Sequence, residues 1–152
     1  MSAFMEINTE LPHGEVVEHF RRGHIESVNL DSLRLAADGC WCGTWEFGDF
    51  SIERINEEQR LNLKQRFNLP LTLKTRIWIT TDELYEGQTG VYLMAAEALK
   101  NWEGDLAVLN NGDYLRVQRV AGHVSLREDC LNPERLVFYN GIKWSPLPGA
   151  SD

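Results

Sequence analysis

Residues 104–126 read GDLAVLNNGDYLRVQRVAGHVSL, and no other stretch restricts the folding of the chain so strongly. Residues 106–109 are an unbroken apolar run, which suits a strand covered on both faces. The "NNGD" that follows is turn chemistry, "YLRVQRV" returns with Leu115 and Val117 inward, and Ala121-Gly122 makes a second tight turn into "HVSL". Two reversals this close together predict a three-strand antiparallel meander, packed beneath the helix that precedes it.

That helix is the most regular segment of the sequence. Val91, Ala95, Ala98 and Trp102 recur along one stripe, Thr80 and Glu83 have the spacing of a capping box, and Gly104 is placed to end the helix. Glu86 and Glu97 fall on the opposite face. Gly87 and Gly90 weaken the first turns, so the regular helix is expected only from Thr89.

Upstream, "SAFMEINTEL" alternates as a short first strand through Phe4 and Ile7. Pro12 then opens a helix carrying Val16, Val17 and Phe20, which Gly23 ends. Residues 27–50 read as a hairpin. Leu33 and Leu35 alternate on the way in, Asp38-Gly39 forms a primed turn, and residues 40–47 return. On the return strand Trp41, Gly43, Trp45 and Phe47 share one face, and Cys40, Cys42, Thr44 and Glu46 the other. Residues 51–70 carry Ile55, Leu61 or Leu63, and Phe67 on a helical stripe that stops before Pro70. Leu71, Leu73, Ile77 and Ile79 alternate as the next strand. The expected fold is therefore α+β: a single domain over 1–152, with a mainly antiparallel sheet of about six strands against two or three helices, ending in a β-meander.

The 152 residues suffice for one core without staples, and no run approaches the roughly 18 apolar residues of a membrane span. Acids stand in "MSAFMEINTELP" where a secretory leader would carry basic residues, and Cys40, Cys42 and Cys130 are an odd number. The expectation is a chain of the cytoplasm with reduced thiols. The net charge is −8, and within 82–113 seven acids face one cation, Lys100. Such a surface repels nucleic-acid phosphates and steers basic proteins.

Among candidate chemistries, Cys40-Trp41-Cys42 lacks the spacing of common zinc sites, and His13, His19 and His24 are not spaced to stack imidazoles on one helical face, so neither metal nor cofactor is expected. G-x-S-x-G, the P-loop, G-x-G-x-x-G and H-E-x-x-H are all missing. A Cys–His pair meeting in space, or a ligand pocket lined by Trp41, Trp45, Trp78, Trp102 and Trp144, stays open as a small-enzyme or ligand-binding reading.

The segment EALKNWEGDLAVLNNGDYLRVQRVAGHVSLRED resembles the immunity proteins of the swarming-inhibition toxin cassettes found in myxobacteria and other proteobacteria. Carrying the likeness are Gly104-Asp105, Asn111-Gly112-Asp113, Arg116 and Arg119, Gly122, and the tail at Pro133. "NLPLTLKTRIWI" is also similar to the family's segment before the helix. The likeness covers residues 67 to 135. It departs where the family carries adjacent basic residues, and the first 55 residues match only in the order of elements. The resemblance implies a non-catalytic protein that binds and neutralises a cognate toxin, a nuclease being one such target. The acidic helix and the tip at 110–113 would then face the toxin, with Glu86, Glu97, Glu103, Asp105, Asn111 and Asp113 as contacts and Trp102 or Tyr114 as anchors.

Overall fold

The computed structural model describes residues 3–147. Nine strands form one sheet: β1 (Ala3–Thr9), β2 (Val28–Leu35), β3 (Trp41–Trp45), β4 (Gly48–Arg54), β5 (Thr75–Thr81), β6 (Leu106–Asn110), β7 (Tyr114–Val120), β8 (His123–Leu126) and β9 (Trp144–Pro146). Their order is β2-β3-β4-β5-β1-β6-β7-β8-β9, antiparallel throughout except for the β8–β9 pair. The helices are α1 (His13–Arg21), α2 (Glu57–Phe67), α3 (Leu84–Asn101) and α4 (Pro133–Leu136). The α+β class holds, but the sheet is larger than the expected six strands, and it is open. Two of the additional strands are β4 and β9. The first lies in residues whose latter half reads as the start of a helix, and the second is only three residues long.

The two faces of the sheet are covered differently. Met5, Ile7, Ile52, Ile77, Ile79, Val108 and Val117 point toward α1 and α3 and form the main core. Ala107, Leu109, Leu115, Ile55, Leu69 and Leu73 form a second core on the other side, against which Leu63 and Phe67 of α2 pack. Residues 106–109 are buried at every position because they alternate between these two cores. Helix α2 rests lightly: none of its residues is buried, and Leu61 is exposed. Its ends are well specified. Asn56 Oδ1 accepts the N–H of Gln59 while Gln59 Oε1 accepts the N–H of Asn56, and Asn68 closes the helix in the left-handed conformation.

Several local expectations are revised. The capping box belongs to α2 and not to α3. Thr80 lies inside β5, where its hydroxyl accepts the N–H of Asp49, and α3 begins at Leu84 without a side-chain cap. Gly87 and Gly90 do not delay the helix; they let it approach the sheet. A Cβ on Gly90 would lie 2.7 Å from the Trp45 ring, and one on Gly87 2.5 Å from Thr81 Cβ. The β2–β3 connection spans residues 36–40; the Ala36 N–H reaches the Cys40 carbonyl, the Gly39 N–H reaches the Ala36 carbonyl and Gly39 alone is left-handed, so it is not a primed two-residue turn. Of the two leucines that alternate along β2, Leu33 packs against the main core and Leu35 is exposed. The meander stands as expected, with Asn111-Gly112 and Ala121-Gly122 at positive φ in its two turns.

Candidate protein-binding cleft

Strand β7 carries a bulge. Val108 pairs with Val117 but Leu109 pairs with Leu115, so Arg116 is an extra residue on β7. This is why Leu115 and Val117, two apart, serve opposite cores, and it aims Arg116 along the sheet toward Tyr114. The Arg116 guanidinium lies 5.0 Å from the Tyr114 ring and that of Arg127 lies 5.8 Å from it. Arg127 is fixed by donating from Nε to the Leu115 carbonyl at 2.7 Å.

Across from Tyr114, α3 presents Tyr85, Gln88, Thr89 and Tyr92 at helical spacing along one face. Arg135 of α4, buried at 7% exposure, sits 4.8 Å from the rings of both Tyr85 and Tyr92 and donates from Nε to Thr89 Oγ1. Tyr85 Oη accepts from Asn132 Nδ2 and donates to Glu134 Oε2. Beneath them, Tyr139 donates to the Tyr92 carbonyl at 2.8 Å, and burial pushes its phenol far above the usual range.

Between these walls lies an open cleft of about 690 Å³, lined by Tyr92, Tyr114, Arg116, Asp129, Asn132 and Arg135. Tyr114 is 53% exposed and Tyr85 47% exposed, and Glu128, Asp129 and Glu134 are exposed around them. Tyrosines braced by arginine planes lose little rotamer freedom on contact, and this composition is that of protein-interface hot spots. Comparison with protein-family models, curated proteins and solved structures finds no match for the chain. The cleft is thus read from its own geometry.

Of the residues expected to contact a partner, only Tyr114 lines this cleft. Glu86 is exposed near the start of α3. Glu103 is exposed beyond its other end, roughly 25 Å away along the helix axis at 1.5 Å per residue. The acids of 82–113 therefore do not form one patch. Glu97 is half-buried, its carboxyl pushed up by burial while it accepts the Glu26 N–H at 3.5 Å. Trp102 is 2% exposed and packs near His19 and Phe20, a core residue and not a surface anchor. Asp105 is a structural clasp: Oδ2 accepts from Thr72 Oγ1 at 2.5 Å and Oδ1 from the Ala121 N–H at 2.9 Å. Asn111 ties its turn to β1 by accepting the Phe4 N–H, and Asp113 pairs with Arg66 of α2 at 3.0 Å, on the other face of the sheet.

Most of the quoted motif is thus scaffold. Arg119, part of the resemblance, donates to the carbonyls of Leu99, Trp102 and Gly104, while Arg116 faces the cleft. Sequence reading missed Tyr85, Tyr92, Arg127 and Arg135 because it followed acids; the signal lay in the tyrosines, all four of which fall between residues 85 and 139. Among the described residues, no three His, Cys, Asp or Glu side chains are placed to hold a metal ion. Cys40 and Cys42 are half-buried free thiols, and the side chain of Cys130 lies outside the described residues. His19 and His24, expected apart, meet with their Nδ1 atoms 2.7 Å apart because the chain reverses after α1. No helix among the described residues is long and apolar enough to cross a membrane.

Proposed function

We propose that this chain is an immunity-type binding protein that seats a basic protein partner, a cognate toxin, in the tyrosine–arginine cleft. The observation that carries the reading is the pair of half-exposed tyrosines, Tyr85 and Tyr114, each braced by arginine and surrounded by exposed carboxylates. Rigid aromatic anchors inside a charged rim concentrate binding energy at the centre and leave the rim to steer encounter. The net charge of −8 favours a basic partner and disfavours nucleic acid. The resemblance of residues 67–135 to swarming-inhibition immunity proteins supplies the partner class, and the site of action would be the cytoplasm of the producing cell.

Co-expression with the polypeptide encoded beside it tests the reading. Growth rescue and a stoichiometric complex are expected. Tyr114→Ala combined with Tyr85→Ala should weaken the complex about 100-fold, as two lost anchors of roughly 1.4 kcal/mol each would. Glu103→Lys, remote from the cleft, should change it little. A neighbour that is neither toxic nor bound, or a complex indifferent to both tyrosines, rejects the assignment.

A further inference from the structure

On the other face of the sheet, where α2 rests lightly, a second site is built from buried polar groups. Glu6 and Asn8 of β1 and Arg76 of β5 floor a cavity of about 130 Å³ whose roof is Gln59, Asn62 and Arg66 of α2. Asn8 is fully buried and Glu6 is 5% exposed. Asn8 lines the cavity, its Nδ2 donates to Glu6 Oε2 at 3.3 Å, and its buried Oδ1 has no donor. A buried carbonyl oxygen without a partner is rare and needs one.

The charges at the floor do not cancel. Arg76 gives Nε and Nη2 to Glu53 Oε1, while its Nη1 stays 3.8 Å from Glu6 Oε2, outside hydrogen-bond reach. Two carboxylates, Glu6 and Glu53, thus share one guanidinium. Arg66 at the mouth is taken by Asp113. What the floor lacks is one positive charge bearing hydrogen-bond donors, beside one carboxylate and one amide oxygen. A primary ammonium supplies that charge with three N–H donors. A quaternary ammonium brings the charge without donors, and an alcohol brings a donor without the charge.

We propose that this cavity binds a primary ammonium group at the end of an alkyl chain, with Glu6 and Asn8 as its acceptors and the mouth lying between Asn62, Arg66 and Gly112. The site is independent of the tyrosine–arginine cleft on the opposite face. Glu6 is held above the usual carboxylate range chiefly by burial, with Arg76, Asn8 and Arg66 pulling it down and Glu53 adding to the rise.

Titration of the full chain with n-butylammonium, followed by NMR chemical shifts of the β1 amides, tests this directly. Saturation with Kd of about 1 mM is expected for so few heavy atoms, with tetramethylammonium and n-butanol at least about 10-fold weaker. Glu6→Gln should weaken binding about 10-fold. Asn62→Trp, on the exposed side of α2, should block the mouth with the floor intact, so it decides the matter even if Glu6→Gln fails to fold. N-acetyl-lysine methylamide identifies the source: binding as tight as butylammonium points to a lysine of a polypeptide, and exclusion points to a free amine. Shifts that never saturate, equal binding of tetramethylammonium or n-butanol, or indifference of a folded Asn62→Trp would overturn the proposal.

Discussion

Arg119 of β7 donates from Nη2 to the carbonyl of Trp102 at 2.6 Å, closing the C-terminal end of α3 from the side. The same guanidinium reaches Leu99 and Gly104 through Nη1 and Nε, so one side chain serves a carbonyl of the last turn, the one at the C-cap and one just beyond the helix. Burial draws its pKa below the usual arginine value, while Asp105 pulls it back up.

Arg119→Ala should therefore destabilise the fold by about 2 kcal/mol, since a charged donor is lost and half-buried carbonyls at the negative end of a helix remain. Arg119→Lys should recover less than half of that, because an ammonium cannot span three acceptors in a plane. Urea midpoints at unchanged slope check both.

Ala121 holds φ of +51° in the β7–β8 turn, a conformation that costs a non-glycine residue about 1–2 kcal/mol, and its N–H is clasped by Asp105. Ala121→Asn should raise stability by about 0.5–1 kcal/mol, Asn being far better tolerated there. Calorimetry showing no gain would mean that the clasp, not the residue, sets the turn.

Two glycines in helices should respond with opposite sign to alanine. Gly90→Ala drives a Cβ to within 2.7 Å of the rigid Trp45 ring and should cost about 2 kcal/mol or more despite better helix propensity. Gly14→Ala in the first turn of α1 meets nothing within 4 Å and should stabilise by up to about 1 kcal/mol. Paired thermal melts read the contrast.

The His19–His24 contact predicts a pH dependence. Burial first and His24 second hold His19 below the ordinary histidine value, so around and below pH 6.5 the unfolded chain binds more protons than the folded one, and this contribution to stability is lost as pH falls. Glu6 and Glu97, raised by burial, act in the opposite sense, their folded forms favouring the proton. The readout is accordingly the difference between wild type and His24→Asn. The variant should lose less stability between pH 7 and pH 5, and equal loss would remove the pair from the account.

The sequence exposes what depends on local period. Val91, Ala95, Ala98 and Trp102 are all buried, as their stripe requires, although the same stripe should have warned against treating Trp102 as an anchor. Strand β4 escapes because the Glu46-Phe47 corner before it has no glycine, proline, asparagine or aspartate in its two central positions, so nothing local announces the reversal. Glu6 and Asn8 are polar positions in a strand legible only as alternating; β5 and β6 on either flank, with α2 above, bury them. The cleft is less legible still, since Tyr85, Tyr114, Arg116 and Arg135 come from three separate elements.

An open sheet has two rims where another chain could add a strand. On the β2 side, pairing with β3 slips between Asn29 and Arg34, and Asp31 and Arg34 stand on the rim itself. On the other, β9 is three residues long and its last, Pro146, has no N–H to offer. A bent, charged border and a short, proline-tipped one both resist templated stacking of copies, so this wide sheet can stay open without seeding fibrils.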